Sequence, residues 1–410
     1  MFGEGAFQNS MIRKKILVVS VVLLMFDTQH VQSFSADKTI ARKRLGKKSF
    51  IQRQERGKLR HIPSSEELQE LAVNSSLRHP GSINHRKAWK RWSVMAIDAI
   101  RYDLSANLPC PVDKQKFENL FFRLGVAADK GIMPSFEDES SRAGYALEFF
   151  CRARNLADLL MDVLNPQYEF PDDWRAAVLK TPMLRGDDTG ITGDSYNMIS
   201  LGGGPGFDSV ALSLAASFSA YGKESSPINA IILDYEEGWC DLVKAMDEST
   251  RNVLQQPNLS CEWGGKCDIT KGFGDPINTV CLQEIGNAQM IVCQYCVAEN
   301  AHLLRGSGFI FFRDMFEKAS IGALFIFTET APRIWPDLCE LMEEYCPYMQ
   351  VAFVRNGRQM LIMKFDCKTN LFMREEDERQ RRVFQDMSKD HTRKISSGWE
   401  RQEQKIRGSV

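Results

Sequence analysis

The chain has 410 residues, 43% hydrophobic and 26% charged, enough to bury one large core with an accessory segment or two ordinary cores. This composition excludes a disordered, collagenous or multi-span membrane protein, and eleven cysteines are too sparse for a disulfide scaffold. The formal net charge of -1 conceals two opposed segments, because residues 1–60 sum to +9 and residues 61–410 to -10.

The basic segment reads as an address. Arg13, Lys14 and Lys15 precede an apolar run from Ile16 to Phe26, a charged region followed by a hydrophobic one of signal-peptide length, too short to span a bilayer. Cleavage after Ser33 leaves Phe34 as the first residue, and Ser35 to Arg60 then holds ten Lys/Arg and two acids, the character of a transit peptide. A signal peptide joined to a basic transit segment, with Phe at the junction, resembles the plastid-targeting leader of algae with complex plastids such as diatoms. That resemblance implies a plastid location, with the secretory pathway as the alternative. No stable membrane insertion is expected after processing.

Residues 64–190 read as a helical accessory or cap domain. Ser64-Ser65-Glu66-Glu67 opens a helix with cap and acids in place, and Ala143 to Leu164 has apolar residues at helical spacing, ended by Asn165-Pro166. Within it, Trp89, Trp92, Ala96 and Ile100 form one face of a helix whose other face carries cations, so core packing competes with a nucleic-acid surface.

Residues 195–366 change character. Short apolar runs (Asn197–Leu201, Ala230–Asp234, Gln289–Gln294, Ala323–Thr328, Gln350–Val354 and Met360–Phe365) alternate with helix-length segments, which predicts an α/β fold with a parallel sheet. Residues 367–410 are a charged tail.

The first run ends in Gly202-Gly203-Gly204-Pro205-Gly206, directly before a helix-length stretch from Ser209 to Tyr221. Glycines there let the backbone approach a ligand and turn sharply into a helix whose amides face it. The dinucleotide fingerprint Gly-x-Gly-x-x-Gly fails in both registers, since Phe207 follows Gly204 and Ser209 follows Gly206 at the third-glycine position. No Gly-Lys-Ser/Thr ending marks a P-loop either. The second run ends in Asp234, whose carboxylate is placed to accept hydrogen bonds from the vicinal hydroxyls of a ribose. Glu236 and Glu237 are expected to begin the next helix.

This order of strand, Gly-x-Gly-x-Gly turn, helix, strand ending in Asp, loop acid and closing antiparallel pair resembles the class I S-adenosylmethionine-dependent methyltransferases. The resemblance covers roughly 195–366 and implies a Rossmann-like sheet with helices on both faces, preceded by the helical domain. It also implies S-adenosylmethionine as cofactor. Gly202, Gly203, Gly204 and Gly206 would wrap its methionine part, Asp234 would hold its ribose, and Asp268 with Ile269 would contact its adenine. The alternative for Asp268 is an ordinary turn aspartate.

Two departures from the family stand out. It usually places Asp or Glu where Ser200 stands, and Met290–Glu299 lacks the Asp/Asn-Pro-Pro-Tyr/Phe used for methylating base amino groups. The stretch is more similar to a Tyr-x-x-x-Glu variant found in methyltransferase-like proteins linked to ribosomal RNA. Tyr295 and Glu299 are accordingly the candidate catalytic pair for positioning or deprotonating an acceptor. Cys293-x-x-Cys296 lacks the second pair that a zinc site needs, so no metal is expected, and packing at the cofactor mouth is the preferred reading. Glu329 with Arg333 either reads substrate polarity or forms a solvated loop.

The expected function is therefore a methyltransferase acting on a small molecule or on RNA. The alternatives are a non-catalytic binding or ribosome-assembly factor, and a nicotinamide-dependent oxidoreductase that the glycine spacing disfavours. Nothing in the sequence speaks to oligomeric state.

Overall fold

The computed structural model describes residues 50–51, 62–76, 82–130, 135–165, 170, 172–179, 195–219, 227–255, 259–330, 332–345, 349–354 and 357–365. Residues 1–49 and 52–60 of the expected leader, and the tail from 367, lie outside the described residues.

The helical segment contributes α1 (Ser65–Ser76), α2 (Ile83–Ala106), α3 (Lys114–Lys130), α4 (Glu139–Glu148), α5 (Cys151–Leu164) and α6 (Asp172–Leu179). Ser64 starts α1 with a reciprocal capping box: its hydroxyl accepts from the Glu67 amide at 3.2 Å, and the Glu67 carboxylate accepts from the Ser64 amide at 2.8 Å. The stretch expected as one helix over 143–164 is two, broken at Phe149-Phe150. On α2 the expected apolar face is buried as Trp89, Trp92, Ala96 and Ile100, whereas Arg86, Lys87, Lys90 and Arg91 are exposed. Core packing, one of the two readings of that helix, is what the fold realises.

The sheet follows as β1 (Tyr196–Leu201), α7 (Phe207–Ser219), β2 (Ile228–Asp234), α8 (Cys240–Leu254), β3 (Leu259–Lys266), α9 (Thr279–Glu284), β4 (Met290–Gln294), α10 (Ala301–Gly306), α11 (Ile310–Lys318), β5 (Leu324–Thr328), α12 (Trp335–Tyr345), β6 (Met349–Val354) and β7 (Gln359–Lys364). Its seven strands lie in the order β3-β2-β1-β4-β5-β7-β6, with β7 antiparallel to both neighbours and every other pairing parallel. The chain is thus α/β with a Rossmann-like sheet, covered by helices on both faces and preceded by a mostly helical segment. β3 is absent from the sequence-derived runs because it is an edge strand containing Gly264 and Gly265, half exposed along its length.

Central strands alternate strictly between two cores. Met198, Met290, Val292, Leu324 and Ile326 point to one face, where α1, α2, α5, α7 and α8 pack, while Ile199, Ile291, Phe325 and Phe327 point to the other, under α11 and α12. The helical segment therefore shares a single core with one sheet face. Trp89, Trp92 and Phe218 cluster with ring centroids 5.2–5.8 Å apart across that junction. Phe50, inside the segment expected as leader, is fully buried, and the Glu148 carboxylate accepts the Phe50 and Ile51 amides at 3.0 and 2.9 Å. The fold thus takes in chain N-terminal to the expected boundary at residue 60. Among the described residues no helix is long and apolar enough to cross a membrane.

Candidate functional site

β1 and β4 are adjacent parallel strands whose connections leave toward opposite faces, so a crevice opens at their C-terminal ends, as at the switch point of doubly wound sheets. A cavity of about 340 Å³ occupies it. Gly202, Gly204, Asp234, Asp268, Ile269, Tyr295 and Glu299 all line it, together with Arg152, Trp239, Gln294 and Cys296.

The glycine turn is built for close approach. Gly202 and Gly204 have φ of +62° and +52°, a region that favours glycine, and a Cβ on Gly202 would lie 3.0 Å from the Cys296 side chain. Gly203 and Gly206 are absent from the lining and act on the turn itself. A Cβ on Gly203 would lie 2.2 Å from the Ser200 hydroxyl, and the Gly206 amide donates to the Gly203 carbonyl at 3.1 Å.

Asp234 closes the turn from β2. Its carboxylate accepts from the Gly204 amide at 2.9 Å and the Glu236 amide at 3.0 Å, and burial holds its pKa up at about 6. Glu236 caps the following 3₁₀ turn as expected, accepting from the Gly238 amide at 3.0 Å, but it also lines the cavity. Asp268 is a turn aspartate, accepting from the amide and hydroxyl of Thr270 at 2.9 and 2.6 Å, and it also lines the cavity. Buried Asn278 pins this loop by donating to the carbonyls of Asp268, Lys271 and Gly272.

Tyr295 has φ of +59°, rare for an aromatic residue, and its amide donates to the Thr328 carbonyl at 2.7 Å. The Asn155 side chain donates to its hydroxyl at 3.2 Å and the Arg152 guanidinium stacks over its ring. Burial pushes the Tyr295 hydroxyl above its ordinary value, which removes it as a base near neutrality. Burial also lifts Glu299, to about 7, against the lowering effect of Arg152. A carboxyl at that value suits proton transfer at neutral pH.

Glu329 is 2% exposed and accepts from the Ala298 amide at 2.9 Å, with burial raising it to about 8. It holds the β4 loop from beneath, and Arg333 is exposed, so neither of the readings offered for that pair describes Glu329. Cys293 is buried in β4, one residue before its end, and Cys296 lines the cavity, with sulfurs 3.0 Å apart, as the packing reading expects. Among the described residues no group of acids, histidines and cysteines is placed to hold a metal.

Sequence reasoning missed the contribution of the helical segment. Arg152 and Asn155 sit one turn apart on α5 and reach over the end of β4, and only the α5–α7 packing brings them there. Asp208 was hidden as a helix-start acid. Its carboxylate accepts from the Ser200 hydroxyl at 2.7 Å and from the Gln294 side-chain amide, so an acid stands behind Ser200 after all.

No family model matches this sequence, and no curated protein does. Among solved structures, the chain is similar to a TehB-like S-adenosylmethionine-dependent methyltransferase from Corynebacterium glutamicum, at 12% identity and TM-score 0.28, over 52% of this chain and 98% of that one. A putative class I S-adenosylmethionine-dependent methyltransferase from Listeria monocytogenes gives 10% identity and TM-score 0.28 over 76% and 90%. An O-methyltransferase from Bacillus cereus in complex with S-adenosylhomocysteine gives 13% and 0.27 over 63% and 95%.

Proposed function

We propose that the chain binds S-adenosylmethionine in this cavity and transfers its methyl group to an acceptor, a small molecule or RNA. The observation that carries the reading is the convergence of the glycine turn, Asp234, the 268–269 loop and Glu299 on one cavity. The residues fit the cofactor: two bare α-carbons face the space, and the Arg152 guanidinium on its wall has no carboxylate within ion-pair distance among the described residues.

The cofactor, when bound, supplies a methyl group on a positively charged sulfur, which needs alignment more than activation. Asp234 has lone pairs left beyond its two amide bonds to accept ribose hydroxyls. Asp268 and Ile269 border the adenine end, and Arg152 offers paired N–H donors to the carboxylate of the methionine end. Glu299 takes the proton that the acceptor sheds. A binding factor without catalysis would share the cavity, but a carboxyl tuned to about 7 favours the enzyme.

Thermal melting with S-adenosylmethionine and S-adenosylhomocysteine tests this reading. Stabilisation that disappears in Asp234→Ala is expected, and a wild type that shifts with neither ligand overturns it. The leader supports a plastid location, which import of a reporter fused to residues 1–60 tests; secretion of the reporter supports the alternative.

A further inference from the structure

We propose, on the cofactor reading above, that Arg142 is a positioning residue: it ties Ser135–Glu137 to the loop after Asp234, so that this wall of the cavity stands formed before the nucleoside arrives.

Two stretches distant in sequence line the cavity and meet beside it. Ser135, Phe136 and Glu137 precede α4, whereas Asp234, Tyr235, Glu236 and Trp239 end β2 and follow it. The Phe136 ring packs against Trp239 with centroids 5.2 Å apart. Ser135–Glu137 lies in neither helix nor strand, so no ladder of backbone hydrogen bonds fixes it. The Arg142 guanidinium, in the first turn of α4, does so instead. Its Nη1 donates to the Phe136 carbonyl at 2.6 Å and to the Glu137 carbonyl at 2.8 Å, and lies 4.0 Å from Glu236 Oε1. The guanidinium also fills the space beside Gly238, where a Cβ would come within 2.2 Å of its central carbon.

Glu236 and Gly238 belong to the turn that supports Asp234. The Glu236 amide donates to the Asp234 carboxylate at 3.0 Å, and the Glu236 carboxylate accepts from the Gly238 amide at 3.0 Å. Arg142 is 8% exposed, and a buried cation demands polar partners. The carbonyls of Phe136 and Glu137 and the carboxylate of Glu236 meet that demand, and all three residues line the cavity. Swinging Ser135–Glu137 outward breaks two charge-assisted hydrogen bonds together, which makes the open form rarer by about tenfold or more. Left untied, the stretch would have to be ordered as the ligand binds, and affinity would fall by the cost of that ordering.

Surface plasmon resonance of the full chain with S-adenosylhomocysteine, alongside limited proteolysis with endoproteinase Glu-C, tests this in Arg142→Met, Arg142→Lys and Gly238→Ala. Cutting after exposed Glu137 reports release of the wall, whereas cutting after buried Glu329 reports opening of the sheet. Arg142→Met is expected to be cut after Glu137 about tenfold faster or more, with cutting at Glu329 within about twofold, and to bind S-adenosylhomocysteine about tenfold more weakly through faster dissociation. S-adenosylhomocysteine slows the cutting after Glu137 more in this variant than in the wild type, because there the wall forms on the ligand. Arg142→Lys, whose ammonium is a point charge without the planar fork, falls between the two. Gly238→Ala displaces the guanidinium without removing it and repeats the pattern, which decides the matter should Arg142→Met fail to fold. Unchanged cutting at Glu137 overturns the tie, and equal acceleration at Glu137 and Glu329 reduces Arg142 to fold stability and overturns it too. Faster cutting with unchanged affinity overturns the link to binding. A wild type that binds no S-adenosylhomocysteine overturns the cofactor reading instead, and cutting at Glu137 then decides by itself whether Arg142 holds the wall.

Discussion

Arg152 and Tyr295 meet across the junction between the helical segment and the sheet, with the guanidinium carbon 4.6 Å from the ring centroid. The same guanidinium lies 5.2 and 5.7 Å from the rings of Tyr145 and Phe149, so one cation is held in an aromatic cradle on the cavity wall. Its charge lowers Glu299, and its helix carries the Asn155 amide that holds the Tyr295 hydroxyl. The helical segment thereby tunes and orients groups that belong to the sheet.

Arg152→Met removes the positive charge that opposes the burial of Glu299. The low-pH inflection of kcat/KM, expected near 7 in the wild type, should move upward, and S-adenosylhomocysteine affinity should fall about tenfold with loss of the charged hydrogen bonds. A pH–rate profile of the two proteins checks both.

Glu299→Gln keeps the shape of the side chain and removes its proton acceptor. A fall in kcat of about a hundredfold or more is expected, with the inflection near 7 abolished. Unchanged turnover would remove Glu299 from the reaction.

Asp234 binds ribose hydroxyls as the ionised carboxylate. With its pKa raised to about 6, wild-type affinity for S-adenosylhomocysteine is expected to be level above that value and to weaken by up to about tenfold per unit below it. Asp234→Asn is expected to bind weakly and without this dependence, as fluorescence or calorimetric titration from pH 5 to 8 measures.

Glu329 carries its proton in the folded chain and loses it when unfolded near neutrality. A folded-state pKa of about 8 against 4.5 means that the stability it lends is complete below 4.5 and is lost as pH rises through 8. Glu329→Gln, which cannot ionise, is expected to lose less stability than the wild type over that window, by on the order of 3 kcal/mol. Urea unfolding at pH 5 and 8.5 checks the difference.

Gly203→Ala would drive a methyl group into the Ser200 hydroxyl, displacing it from Asp208. A destabilisation of about 1–3 kcal/mol is expected, together with weaker binding of S-adenosylhomocysteine. Chemical denaturation and titration of the same variant measure the two effects.

Much of the parallel sheet was readable because its central strands are buried on both faces and so appear as unbroken apolar runs. β3 was not, since an edge strand with two glycines carries no such signal. At the site, Gly202, Gly204 and Asp234 were readable because a tight turn into a helix and a strand-end acid are local in sequence. Glu329 was misplaced because its burial under the Ala298 amide depends on how two connections fold over each other.

By itself the sequence determined the α/β class, the glycine turn, the acids that follow it and the helical character of what precedes the sheet. All of these follow from periodicity and backbone freedom within short windows of chain. Tertiary structure alone decided that Arg152 and Asn155 reach over Tyr295, that Asp208 accepts from both Ser200 and Gln294, and that Glu299 and Asp234 share one cavity and the burial that raises both. Desolvation and hydrogen bonding between residues as far as 140 positions apart depend on packing, and packing is a property of the folded chain.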